Sequence, residues 1–166
     1  MICFTSVRAP FGTVIVTEEE SFITGLFLTG EDFEEWRKDA PGVKPCETAL
    51  LSEAKQQLAS YFSGERKQFS LPLRQKGTPF QERVWNALTM IPYGESRSYG
   101  DMAEAIGKPK AVRAIGQANK RNRLPILIPC HRVIGKNSAL TGYAGTKTDV
   151  KAVRPQKTEF ERRLPK

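Results

Sequence analysis

A cysteine followed directly by a histidine is the feature of this chain with the clearest chemical potential. Cys130 is one of three cysteines, and His131 is the only histidine among the 166 residues. A thiolate is a strong nucleophile, and an imidazole near a thiol can take its proton at neutral pH. Successive side chains point apart on an extended backbone, so the imidazole could act through a bridging water. The pair is a candidate nucleophilic site, although a buried cysteine is more often a small apolar residue.

A short apolar run leads into this pair. Residues 126–128 (Ile-Leu-Ile) have the composition of a strand, with Pro125 before them and Pro129 after them. We expect this segment to be extended and to deliver Cys130 to the site.

The other cysteines have no such context. Cys3 and Cys46 lie far from Cys130 in the sequence and have no neighbouring histidine, so we expect them to be structural. An odd, widely spaced set argues against a disulfide framework and for a reducing compartment. One histidine and scattered cysteines also lack the ligand spacing of a zinc site, so we expect no metal.

The composition is that of a soluble, globular protein. Hydrophobic residues make up 39% of the chain and charged residues 27%, and the length suffices for one domain or two small ones. No apolar run approaches the roughly 20 residues of a membrane span, and residues 1–4 lack the pattern of a signal peptide. We expect a cytoplasmic protein with no membrane partner.

Basic residues outnumber acidic ones by 26 to 18, which gives a net charge of +8. Such an excess favours an anionic partner such as nucleic acid. Six basic residues and no acidic residue lie between positions 108 and 123. The second half of the chain is therefore where we expect that partner to bind.

The first half has the pattern of an α+β unit. Its apolar spacing predicts three strands, two helices and a segment that closes the sheet. The predicted strands are residues 2–8, 13–16 and 22–28, the helices are 31–38 and 47–62, and the closing segment is 70–73. We place an N-terminal domain at residues 1–74, followed by a linker at 74–77.

The second domain, residues 78–166, begins with a helix-start signal. Thr78 can cap this helix, Pro79 suits its first turn, and Gln81 completes a capping box. We expect the helix to bury a stripe made of Phe80, Val84, Trp85 and Leu88.

Two short helices joined by a tight turn follow. Ser98 can cap a helix over residues 99–106, and Gly107 fits its end. Pro109 can open the next helix, which runs to about residue 121. The pair matches a helix-turn-helix.

The second of these helices is amphipathic. The side chains that we expect to face inward are Val112, Ile115 and Ala118. Those that we expect to face solvent are Lys110, Arg113, Gln117, Lys120 and Arg121. Small residues along the helix would permit close approach to a nucleic-acid backbone. The alternative is that the two helices only pack against each other and bind no nucleic acid.

Several motifs together resemble one known family. Residues 129–133 (Pro-Cys-His-Arg-Val), preceded by Arg113 and Asn122 and followed by 142–145 (Gly-Tyr-Ala-Gly), resemble the signature of the O6-alkylguanine-DNA alkyltransferases. Further matching segments are residues 80–85, 91–94 and 98–99. The resemblance is strong over residues 78–151 and concerns only the layout before that.

The resemblance implies an α+β fold. A ribonuclease-like domain at residues 1–74 would precede a mainly helical, winged-helix-like domain with a helix-turn-helix. The family transfers an alkyl group from O6 of guanine in duplex DNA to its own cysteine. Because the product is a thioether, each molecule would act once, with no cofactor and as a monomer.

The resemblance also implies roles at the reacting atoms. Cys130 would accept the alkyl group, and His131 would take its proton through water. Asn122 would brace the active-site turn, and Tyr99 would donate a proton toward N3 of the base and crowd the backbone phosphate. The substrate pocket would be formed by Val133, Tyr143, Ala144 and Gly145.

DNA binding is implied at the second helix of the helix-turn-helix. Arg113 would enter the minor groove and fill the space left by a nucleotide flipped out of the duplex, a step that costs a few kcal/mol. Lys110 and Gln117 would contact the DNA beside it. A phosphate contact is the alternative for Arg113.

The C-terminal tail departs from the family pattern. A helix there normally carries a glutamate that orients the histidine, but Pro155 interrupts the expected helix. Glu159 lies nearest the expected position, and Glu161 is the second candidate.

Two other functions remain open from the sequence. The first is a module that binds alkylated bases without repairing them, in which the reactive cysteine would be replaced. The second is a Cys-His hydrolase that works by acyl transfer, which would gain nothing from a helix-turn-helix. Cys130 is the feature that separates the first alternative from a transferase.

Overall fold

Two strands at the start of the chain form a hairpin because apolar and polar residues alternate on either side of a turn. The computed structural model describes residues 1–135. The described residues divide into two units, Met1–Gln75 and a second that begins at Lys76. The first has a small sheet and the second is mainly helical, which confirms the α+β class.

The first unit contains four strands and two helices. These elements are β1 (Ile2–Ala9), β2 (Gly12–Glu19), β3 (Phe22–Phe27), α1 (Gly30–Arg37), β4 (Lys44–Pro45) and α2 (Ala49–Phe62). The strand order is β3-β2-β1-β4, with β4 parallel to β1 and the other neighbours antiparallel. The two predicted helices and the three predicted strands are confirmed, with ends that differ by at most three residues.

The core of this unit lies between the sheet and α2. Val14 and Val16 of β2 are fully buried, as are Ala54 and Leu58 of α2. The Thr48 hydroxyl caps α2 by accepting a 3.0 Å hydrogen bond from the amide of Leu51.

The fourth strand is not where the sequence suggested. Residues 70–73 form no strand, and only Leu73 makes an isolated bridge to Ile23. The Ile23 amide donates to Pro72 O and the Arg74 amide donates back to Ile23 O, but Pro72 has no N–H with which the ladder could be extended. β4 lies at the other edge of the sheet, beside β1, in a segment for which no strand was predicted.

The expectation of no disulfide is wrong. Cys3 and Cys46 are joined, with their Cα atoms 5.3 Å apart. The cause is the parallel pairing of β1 with β4, which sets Phe4 opposite Pro45 and so brings Cys46 beside Cys3. The cysteines therefore give no reason to expect a reducing compartment.

The second unit contains three helices and a short parallel strand pair. Its elements are α3 (Pro79–Thr89), β5 (Arg97–Ser98), α4 (Tyr99–Ala105), α5 (Val112–Lys120), a 3₁₀ turn (Cys130–Arg132) and β6 (Val133–Ile134). β5 pairs with β6. These two-residue strands were not predicted, because they are too short to show a strand pattern in the sequence. None of the described helices has the length and apolar character needed to cross a membrane.

Two of the three predicted helix starts in this unit, at Thr78 and Ser98, are confirmed. Thr78 and Gln81 bond reciprocally, amide to side chain, at 3.0 and 3.1 Å. Ser98 and Asp101 do the same at 3.0 and 2.9 Å. Hydrogen bonds to the Asp101 carboxyl from the Ser98 amide and from the Ser98 side chain lower the pKa of that carboxyl.

The helix-turn-helix is present, but its second helix begins later than predicted. α5 starts at Val112 rather than near Pro109. The turn between α4 and α5 includes Gly107 at φ +76°. Val112 was expected to face inward but is 43% exposed. As the first residue of the helix it has no preceding turn to pack beneath, and burial begins at Ile115.

Candidate active site and nucleic-acid interface

The apolar run before the Cys-His pair is a buried turn, so the prediction of a strand there is wrong. Ile126 has φ +74°, which is the left-handed region and incompatible with a strand. The Ile128 amide donates to Leu124 O at 2.7 Å. Apolar composition cannot distinguish such a turn from a strand, because both are apolar when they are buried.

Asn122 supplies the polar contacts that allow this turn to be buried. Its side-chain Nδ2 donates to Ile128 O at 2.9 Å. Its Oδ1 accepts from the Leu124 amide at 3.0 Å. Buried backbone polar groups are costly unless they are paired, so one side chain holds both ends of the segment before Cys130.

Cys130 begins the 3₁₀ turn and is fully buried. Its amide donates to Ile128 O at 2.7 Å, and its carbonyl accepts from the Val133 amide. It forms no disulfide, because Cys3 and Cys46 are joined to each other. These bonds hold the main chain that carries the thiol.

His131 follows in the same turn and is 1% exposed. Both members of the Cys-His pair are thus withdrawn from bulk water. A proton leaving the thiol would be received within the protein.

Arg132 is a residue of this turn that sequence reasoning left without a role. It is 7% exposed, and its Nη1 donates to Ile91 O at 2.7 Å. Its guanidinium lies 5.8 Å from the centre of the Tyr93 ring. Arg132 therefore anchors the Cys130 turn to the segment that follows α3.

Tyr99 is the first residue of α4 and is 8% exposed. Burial raises the pKa of its phenol, a hydrogen bond with the Asn119 side chain lowers it, and the nearby charge of Cys130 raises it; the net direction is upward. The phenol is thus close enough to Cys130 to be affected by it electrostatically. The structure brings these two predicted site residues together.

Asn119 is the second residue that sequence reasoning missed. It is fully buried, and its Nδ2 donates to Cys130 O at 3.3 Å. The available signal was its position on α5, because it follows Ile115 by four residues and so continues the apolar face with an amide.

The opposite face of α5 is exposed and basic. Ile115 and Ala118 are buried as predicted. The predicted solvent-facing residues, all exposed, are Lys110, Arg113, Gln117, Lys120 and Arg121. The indole Nε1 of Trp85 donates to Ala118 O at 2.9 Å and fixes α5 against α3.

A groove of about 370 Å³ continues this basic surface. Its lining residues are Lys76, Gln81, Trp85, Lys120, Arg121, Asn122 and Arg123. Four of the seven are cations and none is acidic. The second unit therefore presents a concave, positively charged surface beside α5, which suits a phosphate backbone.

Of the remaining predicted site residues, the structure describes only Val133. Val133 is fully buried in β6. Tyr143, Ala144, Gly145 and Glu159 lie outside the described residues. Within residues 1–135, no three His, Cys, Asp or Glu side chains form a group that could hold a metal ion.

A cysteine that can accept a group, set behind a basic helix-turn-helix, defines the class of DNA-binding group-transfer proteins. Residues 2–75 match the family model described as "6-O-methylguanine DNA methyltransferase, ribonuclease-like domain". Residues 79–157 match "6-O-methylguanine DNA methyltransferase, DNA binding domain". The chain belongs to the 6-O-methylguanine DNA methyltransferase family.

Individual relatives agree with this assignment. The constitutive methylated-DNA--protein-cysteine methyltransferase of Bacillus subtilis is 64% identical over 149 residues, which cover 90% of each chain. A crystal structure of Mycobacterium tuberculosis O6-methylguanine methyltransferase is 39% identical, with a TM-score of 0.83 over 100% of this chain and 96% of the other. Mycobacterium tuberculosis OGT in complex with DNA is 37% identical, with a TM-score of 0.78 over 98% and 94%.

Proposed function

We propose that this protein repairs DNA by moving an alkyl group from O6 of guanine in duplex DNA to its own Cys130. The observation that carries the proposal is a buried cysteine, outside the Cys3–Cys46 disulfide, in a turn that Asn122 and Asn119 hold from two sides. The exposed basic helix α5 lies in the same unit. Relatives with more than half of their residues identical are named methylated-DNA--protein-cysteine methyltransferase.

The reaction is a displacement at carbon. A bond forms between Cys130 Sγ and the alkyl carbon, while the bond from that carbon to O6 breaks. The electron pair of the broken bond stays with guanine, which takes up a proton at N3 from the Tyr99 hydroxyl. The thiol proton passes through water to His131 and balances the one that Tyr99 gives. No cofactor is needed, because the protein supplies both nucleophile and proton donor.

The product explains why one molecule acts once. A thioether has no good leaving group, and neither His131 nor Tyr99 can hydrolyse it. We assign Glu159 as the carboxylate that orients His131, with Glu161 as the alternative. Equal transfer rates in wild type, Glu159→Gln and Glu161→Gln would remove the carboxylate from the mechanism.

We infer that α5 binds the minor groove. Its exposed face carries cations among small residues such as Ala114 and Gly116, which suits close approach to a narrow groove. Arg113 would occupy the space of the flipped nucleotide, with Lys110 and Gln117 on the flanking DNA. Tyr99 would crowd the phosphate of the flipped nucleotide.

The substrate pocket would be closed by a wall from the later part of the chain. Val133 and the backbone of Cys130 would form its floor, and Tyr143, Ala144 and Gly145 its wall. We infer a monomer, because the buried site residues of the described part come from one unit of one chain. We place the protein in the cytoplasm on the ground of its DNA substrate alone.

Stoichiometry tests the proposal. An excess of duplex that contains O6-methylguanine is incubated with the protein, and restored guanine is counted per molecule of protein. We expect a limit of one for the wild type and none for Cys130→Ser. Continuing turnover on an ester would favour a hydrolase, and tight binding without any restored guanine would favour a binding module.

A further inference from the structure

Asn119 contacts both the proposed nucleophile, Cys130, and the proposed proton donor, Tyr99. Its Nδ2 donates to the carbonyl of Cys130 at 3.3 Å, and its side chain also hydrogen bonds to the Tyr99 phenol. It is fully buried on α5. A single side-chain amide thus contacts both the backbone carbonyl of the nucleophile and the phenol of the proton donor.

The orientation of this amide follows from its partners. A carbonyl oxygen only accepts, so the atom facing Cys130 O must be the Nδ2 donor. The bond to Tyr99 favours the ionised phenol, since it lowers the pKa against the larger effect of burial, so Asn119 donates there too. The phenol oxygen accepts from Asn119, which leaves the phenol hydrogen to be given elsewhere.

The other atom of the amide has no such partner. Within residues 1–135, no donor reaches the buried Oδ1 of Asn119. Leaving a buried acceptor unpaired is costly, and such groups are uncommon in folded proteins. An apolar residue at this position would avoid that cost, so packing alone does not account for an asparagine.

We propose that Asn119 is a positioning residue that turns the Tyr99 hydroxyl hydrogen toward the departing guanine and fixes the phenol relative to Cys130. This rests on the proposed transfer from O6 of guanine. Asn119 does not touch the substrate. It acts through Tyr99, and it makes the phenol a better acid than burial alone would leave it.

The test is a double-mutant cycle on the full chain, with single-turnover methyl transfer from duplex DNA as the readout. We expect Asn119→Ala to slow transfer by roughly tenfold in the wild-type background, the worth of about one hydrogen bond. In the Tyr99→Phe background it should cause no further slowing. The same loss should disappear with O6-methyl-3-deazaguanine in the duplex, because that base has no N3 acceptor.

Two further measurements separate positioning from general damage. Absorbance titration of wild type and Asn119→Ala, each against its Tyr99→Phe counterpart, should show a higher Tyr99 pKa without Asn119. Asn119→Asp, nearly equal in size, should also slow transfer. Gln57→Ala is the matched control, because Gln57 is a buried amide of the first unit that accepts from the Ser70 amide at 2.9 Å.

The outcomes are distinct. If the Asn119 and Tyr99 effects multiply, or if the 3-deaza substrate is slowed equally, Asn119 is structural and the inference is wrong while the transfer function stands. If wild-type protein transfers no methyl group, the proposed function fails and this inference fails with it.

Discussion

The side-chain amide of Asn122 donates a 2.9 Å hydrogen bond to the carbonyl of Ile128, two residues before the candidate nucleophile. The same side chain accepts from the Leu124 amide. The position of Cys130 therefore depends on a buried turn that one residue closes.

Replacing Asn122 by Ala should damage both stability and transfer. The change leaves the buried Leu124 amide unpaired and removes one of the two donors to the Ile128 carbonyl, which predicts a loss of about 2–4 kcal/mol in the free energy of unfolding. Chemical denaturation measures this loss, and single-turnover transfer should slow with it. Asn86→Ala, at an exposed position of α3, is the control. A variant as stable and as fast as wild type would show that the turn needs no brace.

Arg132 should be needed to hold the Cys130 turn in place. Arg132→Met keeps much of the apolar side chain but removes the 2.7 Å bond to Ile91 O. We expect a loss of about 1.5–3 kcal/mol, the worth of a buried hydrogen bond from a charged group, together with slower transfer. Arg66→Met is the comparison, because Arg66 donates to Gln68 O at an exposed site. Equal small effects from both changes would contradict the anchoring role.

Arg113 should matter for duplex DNA and not for the chemical step. Because flipping a nucleotide costs a few kcal/mol, Arg113→Ala should slow transfer from duplex by roughly 10- to 100-fold. Transfer from the free base O6-benzylguanine should be unchanged. Equal slowing with both substrates would place Arg113 in the active site instead.

Lys110 is the counterpart for electrostatic binding. Lys110→Ala should weaken binding to damaged and undamaged duplex alike and reduce the salt dependence by about one unit of slope. Titrations at several salt concentrations measure this. A loss confined to the damaged duplex would mean that Lys110 recognises the lesion.

The raised pKa of Tyr99 makes a prediction about alkaline pH. Since burial holds the folded-state pKa above the ordinary 10.0, the unfolded chain loses this proton first. The contribution of Tyr99 to stability is therefore complete below the ordinary pKa of 10.0. It is lost as the pH rises from there through the pKa of the folded state. The wild type should lose more stability than Tyr99→Phe over that range, as measured by denaturation at each pH. Parallel curves would indicate an unshifted phenol.

The sequence predicted what local chemistry decides. The capping box at Thr78 and the N-cap at Ser98 depend on residues three apart, and the buried face of α5 follows from helical spacing. The segment 126–128 was misjudged, because its conformation is set by the side chain of Asn122 and not by its own composition. The Cys3–Cys46 bond depends on a parallel pairing between distant residues, which no local pattern encodes. Asn119 was missed because its role exists only once α4 and α5 pack together.

The most direct test of the central claim is the mass of the peptide that contains Cys130 after incubation with duplex DNA carrying O6-methylguanine. We predict a gain of one methyl group on that peptide, in an amount equal to the guanine restored. Peptides with Cys3 and Cys46 should be unchanged. A methyl group on another residue, or an unmodified Cys130 peptide from protein that still binds the DNA, would contradict the assignment.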